Sequence, residues 1–448
     1  GPEQEYFLVD REKYLQRKDL IYTGRTLFGA MPPKGQEMDD HYYGVIRERV
    51  GAFMKELNEE LWKLGVAAKT QHNEVAPAQH ELASIYTKAN LAVDHNQIVM
   101  ETMKKVASRR GLACLLHEKP FQGVNGSGKH NNWSLTSDTG VNMLEPGVTP
   151  HENIQFLLVL ACIMKAVDVH ADLLRQSAAV PGNDYRLGAQ EAPPAIISIF
   201  VGEQIEDVID QLCSTGSATH SKMGGTLRTG VTTLPDFDKD ATDRNRTSPF
   251  AFTNNKFEFR MVGSSDSISS ANVVLNTIVA EAFKEAADVL EASDDFPTAV
   301  HDLIKKLFAE HRRIIFNGNG YTEEWVREAE RRGLPNLKCM VDAIPSLVTE
   351  KAVKSFQSNN GLTADGSVGR QTMNKLTGSS VKKAGSGGSS GGSSGSKGGT
   401  VKGGSGVSGL LSIARSKLGC PYVYGAKGPN AFDCSGFIYY CLNQAGVR

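Results

Sequence analysis

The stretch GPEQEYFLVD, residues 1–10, carries two carboxylates spaced two apart in a partly apolar run. An extended chain points successive side chains to opposite faces, so Glu3, Glu5 and Phe7 share one face, and Gln4, Tyr6 and Leu8 share the other. Two like charges on one face repel each other unless a cation lies between them; otherwise the stretch is a solvated edge strand. A second pair bears on that choice. HNEVAPAQHE (72–81) holds Glu74 and Glu81 around a Pro-containing bend. Glu258 lies in the alternating run NKFEFR (255–260), with Arg260 on the same face, and His130 follows a Gly-rich loop in NGSGKH (125–130). Oxygen ligands joined by a single imidazole suit Mg²⁺ or Mn²⁺, and the lack of a thiolate in the set argues against zinc.

The whole chain has 448 residues, a formal net charge of -1, 22% charged and 40% hydrophobic residues. That composition fits two or three globular domains. Near-neutral charge gives no electrostatic case for a nucleic-acid or anionic-membrane partner. The longest apolar run, FLLVLACIM (156–164), is too short to cross a bilayer and reads as the core of a buried helix. No charged-then-apolar leader is visible. Gly1 in place of a methionine is expected of a chain whose native start is missing, or of a tag-cleavage scar. Cys114, Cys162, Cys213 and Cys339 are scattered as reduced core thiols would be, whereas Cys420, Cys434 and Cys441 crowd together near the end.

The first 350 residues read as dense with periodic helices, among them three stretches. Residues 39–65 space Val45, Val50, Phe53, Leu57, Leu61 and Leu64 for one helical face. Residues 150–176 are apolar almost all round, and 269–292 read as a helix with a Ser cap. Between them, 118–134, 178–194 and 243–260 read as Gly/Pro/Asn-rich loops, the usual place for a site. Residues 382–409 are nearly pure Gly, Ser and Lys and read as a flexible tether.

GPEQEYFLVD, NEVAPAQHE, NGSGKHNNWS, NDYRLGAQEAPP and DRNRTSPFAFTNNKFEFR together resemble the glutamine synthetase family, type III class, in the family's order over residues 1–350. The resemblance implies an α+β catalytic domain whose curved antiparallel sheet carries the site, with helices packed outside. It implies that Glu5, Glu74 and Glu81 hold one divalent cation and Glu3, His130 and Glu258 the other, two per site. The implied reaction activates glutamate with ATP, a substrate, to γ-glutamyl phosphate, which ammonia converts to glutamine. Arg246 would then lie on the phosphates, and Arg186 and Arg260 on the glutamate carboxylate and phosphate. Arg244 is either a phosphate contact or a surface ion pair. Asn125 and Gly126 would let backbone approach the amino-acid substrate, Glu191 would close over the intermediate and take a proton from ammonium, and Tyr86 and Ser134 would line the nucleotide pocket. Ala78 departs from the Gly that many relatives carry. A cytoplasmic location and a homo-oligomeric ring are also implied. The family's N-terminal β-grasp-like domain precedes the first strand, so the chain as it stands is expected to make little glutamine.

Residues 352–376 resemble part of a peptidoglycan-binding repeat, and 420–442 resemble an NlpC-type cysteine peptidase. Cys434 in FDCSG matches that family's nucleophile at a helix start, which lowers a thiol pKa, and Tyr422 matches an active-site tyrosine. No histidine follows His311 to act as base. The expected division is 1–350 catalytic domain, 351–378 repeat, 379–408 linker and 409–448 peptidase fragment. The runner-up function is a wall-binding cysteine endopeptidase with peptidoglycan as partner, or a chimeric fusion of the two modules.

Overall fold

The computed structural model describes residues 1–31, 34–222, 226–227, 237–238 and 247–344, with short pieces between 357 and 444. The chain divides into two compact units, 1–379 and 380–448.

The first unit is built on one sheet. Its strands are β1 (Pro2–Asp10), β2 (Ala68–Asn73), β3 (Gln79–Ser84), β4 (Leu112–Leu115), β5 (Gly128–Trp133), β6 (Ile199–Phe200), β9 (Phe250–Thr253) and β10 (Lys256–Gly263), while β7 (Thr226–Leu227) and β8 (Phe237–Asp238) pair with each other apart from it. The order is β2-β3-β1-β5-β10-β9-β6, and β4 also pairs with β1. All but one of the pairings are antiparallel; β6 runs parallel to β9. A parallel pair needs a long crossover, and the connection here contains the helix Gly202–Thr215.

Alternation sorts the strands into a core face and a site face. In β10, Phe257, Phe259 and Met261 enter the largest apolar cluster with Phe250 and Phe252 of β9, and Glu258 and Arg260 take the opposite face. In β1, Tyr6 and Leu8 join Phe53, Leu57 and Leu61 of the helix Glu48–Lys63. The helix Ile154–Val169 is apolar all round because it is buried in the main cluster, beside the helices Ser269–Glu291 and Phe296–His311.

Three expectations need correction. The helix read over 39–65 begins only at Glu48, and Val45 and Leu64 lie outside it and exposed. Ser269 lies inside its helix rather than at the cap, and its N–H donates to Ser267 Oγ at 3.2 Å. The supposed loops 118–134 and 243–260 contain strands β5 and β9, whereas the strand read at 255–260 is β10. Asn254, at φ +58, makes the tight turn between β9 and β10, a conformation asparagine tolerates.

The Gly/Ser tether and most of 351–378 lie outside the described residues. Gln357 is buried, and the first unit extends past it. In the second unit, Ser416 Oγ donates to the Ile413 carbonyl at 2.7 Å, and Lys417 Nζ lies 5.4 Å from the Tyr440 ring centroid. Among the described residues no helix is long and apolar enough to cross a membrane.

Candidate active site

The carboxylates of β1 face a row of partners across neighbouring strands. Glu3 is directly opposite His130 on β5, Glu5 is opposite Glu81 on β3, and Glu81 is opposite His72 on β2. Glu258 on β10 is opposite Asn132, two residues along the same face from His130. Six residues far apart in sequence, Glu3, Glu5, Glu74, Glu81, His130 and Glu258, are thereby gathered on one side of the sheet.

Three overlapping groups have ligand atoms within 4.8 Å of one another: Glu3, His130 and Glu258; Glu5, Glu81 and His130; and His72, Glu74 and Glu81. The first matches one expected ligand set. The other expected set, Glu5, Glu74 and Glu81, is divided between the remaining two groups through Glu81. His72 was missed. Its signal was the spacing of two from Glu74, which puts both on one side of an extended segment even though β2 ends at Asn73. The donor set is mostly carboxylate oxygen with imidazole nitrogen, and suits a hard divalent cation.

The electrostatics agree with a site built for positive charge. Burial, together with Glu5 and Glu81, pushes the Glu74 carboxyl up to about 9. Burial and Arg260 oppose protonation of His130, but Glu3, Glu258 and Glu5 outweigh them and raise it to about 9. His72 donates to Glu81 at 2.7 Å, and that bond raises it to about 9 against the burial that lowers it. A cation binding here would therefore compete with protons for the same groups, because a metal ligand must shed its proton and these values lie above neutrality. Mn²⁺ affinity is therefore expected to rise steadily from pH 6 to 9 with release of protons. Calorimetric titrations in buffers of different ionisation enthalpy check this, and a flat pH dependence would contradict it.

The remaining expected residues divide into those brought to this cluster and those left away from it. Arg260 Nη1 donates to Glu258 Oε2 at 3.2 Å, and its Nη2 reaches the Glu191 carbonyl at 3.5 Å. Arg186 is buried, donating to the Arg260 carbonyl at 3.1 Å and to Asn183 Oδ1 at 3.2 Å. Asn125 Nδ2 donates to Glu191 Oε2 at 3.1 Å. Glu191 and Gln190 have φ of +69 and +53, a strained pair of non-glycine residues on one loop. Ala78 has φ +65, which gives the physical reason a glycine suits that position. Tyr86 is 83% exposed at the end of β3, and Ser134 spends its hydroxyl on Asn142 and the Asn255 carbonyl. Neither joins the carboxylate cluster. Arg244, Arg246, Tyr422 and Cys434 lie outside the described residues.

The glycines of NGSG have a local cause as well. A Cβ on Gly126 would sit 2.9 Å from Arg186 Cγ and closer still to the Glu118 carbonyl, and one on Gly128 would collide with the Arg186 guanidinium. The buried Glu118 was also missed. It accepts from the Ser265 N–H at 2.9 Å and the Ser265 hydroxyl at 2.5 Å, in space that Gly182 and Gly263 leave open.

Comparison with known proteins agrees with this geometry. Residues 1–167 match the glutamine synthetase catalytic domain, residues 299–374 the glutamine synthetase C-terminal domain, and residues 419–448 the NlpC/P60 family. The C-terminal-domain match takes in most of the stretch read as a peptidoglycan-binding repeat. A type-3 glutamine synthetase of Dictyostelium discoideum is 50% identical over 367 residues, covering 81% of this chain and 50% of that one. A glutamine synthetase of Butyrivibrio fibrisolvens is 51% identical, covering 82% and 52%, and one of Bacteroides fragilis is 49% identical, covering 77% and 48%. The chain spans about half the length of these curated relatives. The part of the chain that carries the row of carboxylates across the sheet is thus similar to glutamine synthetases, by two family models and by relatives about half identical to it.

Proposed function

We propose that this chain ligates ammonia to glutamate at the expense of ATP, at a site holding two divalent cations. The observation that carries the reading is the overlap of three ligand groups along β1, β2, β3, β5 and β10 in a chain about half identical to named glutamine synthetases. Glu3, His130 and Glu258 would hold one Mg²⁺ or Mn²⁺; Glu5, Glu74 and Glu81, with His72 beside them, would hold the other. The cations supply charge neutralisation for the phosphates and the substrate carboxylate.

The γ-carboxylate oxygen of glutamate attacks the γ-phosphorus of ATP; the bond to the bridging oxygen breaks, and ADP leaves with its electron pair. Ammonia then attacks the acyl carbon and phosphate departs. Arg186 and Arg260 supply fixed guanidinium donors toward substrate oxygens. Glu191 takes the proton that the attacking nitrogen sheds. Arg246 would neutralise phosphate charge, and Arg244, Tyr86 and Ser134 would serve the nucleotide. Glutamate, ammonium, ATP and further copies of the chain in a ring are the partners that follow from this reading.

The test isolates the first half-reaction. Phosphate release from ATP is expected to require both glutamate and Mg²⁺ or Mn²⁺, and hydroxylamine is expected to trap the activated acyl group. Phosphate release that ignores glutamate would overturn the assignment. The NlpC/P60 match favours a second reading for 419–448, a cysteine peptidase module with Cys434 as nucleophile. Cleavage of muropeptides lost in Cys434→Ala would establish it.

A further inference from the structure

One residue outside all the motifs grips the substrate end of the site. Gln36 lies half-buried on the segment between the first strand and the helix Glu48–Lys63. Its side-chain amide meets Asn125 twice. The Asn125 backbone N–H donates to Gln36 Oε1 at 2.7 Å, and Gln36 Nε2 donates to Asn125 Oδ1 at 2.8 Å. Asn125 is 3% exposed, and its Nδ2 continues the chain to Glu191 Oε2 at 3.1 Å.

The polarity of this relay is forced from both ends. A backbone N–H can only donate, so Gln36 must turn its oxygen toward it and its nitrogen toward Asn125. Asn125 must then receive through Oδ1 and present Nδ2 outward. An ionised carboxylate only accepts, so Glu191 completes the series. Each amide has one orientation that satisfies every partner.

The loop at the far end is held in an uncommon shape. Gln190 and Glu191 both have positive φ, and such residues persist only when their surroundings hold them. Lys119 Nζ bonds to Gln190 Oε1 at 2.5 Å and to the Val124 carbonyl at 2.5 Å, and Gln190 Nε2 donates to the Gly123 carbonyl at 2.9 Å. The 190–191 loop is therefore tied to residues 123–125, and residue 125 to Gln36.

We propose that Gln36 is a positioning residue for the amino-acid substrate: by fixing the Asn125 amide it holds the loop bearing Glu191 in the strained conformation that the substrate meets. The substrate assignment rests on the ligase reading above; the holding of the loop does not.

Gln36→Glu separates positioning from packing because it keeps the shape and replaces a donor with an acceptor. Its oxygen would face Asn125 Oδ1, so Asn125 must turn over and present Oδ1 to the Glu191 carboxylate. Gln36→Leu removes the contact without reversing it, and Met38→Ala, on the same segment at a 95% exposed side chain, is the control. Hydrogen exchange on the full chain is expected to show residues 188–192 exchanging at least about tenfold faster in Gln36→Glu, less so in Gln36→Leu, and unchanged in Met38→Ala. A bond to a charged group contributes about that factor or more. In glutamate-dependent phosphate release, KM for glutamate should rise about tenfold in Gln36→Glu, while KM for ATP stays within about twofold.

Unchanged exchange at 188–192 in Gln36→Glu overturns the proposal. Faster exchange with KM for glutamate and ATP moving together makes Gln36 a structural residue only, and also overturns it. If the unaltered chain releases no phosphate with glutamate, the ligase reading falls, and the exchange result alone decides whether Gln36 holds the loop.

Discussion

Replacing Glu5 and Glu258 together by alanine is expected to weaken Mn²⁺ binding by at least about a hundredfold in calorimetric titration. Even residues behind a metal's direct ligands commonly cost ten- to a hundredfold when changed, so loss of two candidate ligands sets a lower bound. The two belong to different groups: Glu258 with Glu3 and His130, Glu5 with Glu81 and His130. Each single replacement should therefore weaken one group and the double both, while His72, Glu74 and Glu81 keep all their ligand atoms. Glu258→Ala also leaves Arg260 without its carboxylate at 3.2 Å, so a drop in stability is expected beside the loss of metal. Undiminished Mn²⁺ titration in the double variant would end the two-cation reading.

Gly126→Ala is expected to destabilise the first unit by about 3 kcal/mol. The added methyl group would collide with the carbonyl of Glu118, which is backbone and cannot step aside, and would press on Arg186 Cγ at 2.9 Å. Arg186 is itself fixed by Asn183 and the Arg260 carbonyl, so relief in that direction disturbs the site. A control of opposite sign exists in the same unit. Gly51 lies inside the helix Glu48–Lys63, where the nearest atom to an added Cβ is Ile46 Cγ2 at 3.8 Å. Gly51→Ala should stabilise by about 0.5–1 kcal/mol through helix propensity. Chemical unfolding measures both. If Gly126→Ala unfolds at the midpoint of the unaltered chain, its glycine serves only the approach of a ligand and not the packing of Arg186.

The alternation in residues 1–10 was sufficient by itself to place Glu3 and Glu5 on one face and Tyr6 and Leu8 on the other, because a strand has a period of two whatever surrounds it. The same rule paired Glu258 with Arg260, and the unbroken apolar run at 156–164 identified a buried helix. The residue types also carried the metal chemistry, since carboxylate and imidazole donors keep their preferences in any fold. Strand β5 was illegible for the same kind of reason. GKHNNW has no apolar alternation, because Lys129 and Asn131 are buried on its helix-facing side with polar partners. Lys129 donates to carbonyls of Gly263, Ser264 and Asp266, and Asn131 to Asn272. Only the assembled sheet decided that such a sequence forms a strand, by supplying partners that make buried polar groups tolerable. Register was likewise a tertiary matter. That Glu3 meets His130, that Glu81 meets both Glu5 and His72, and that Gln36 meets Asn125 depend on which strands and loops become neighbours, and no local preference of the chain encodes that pairing.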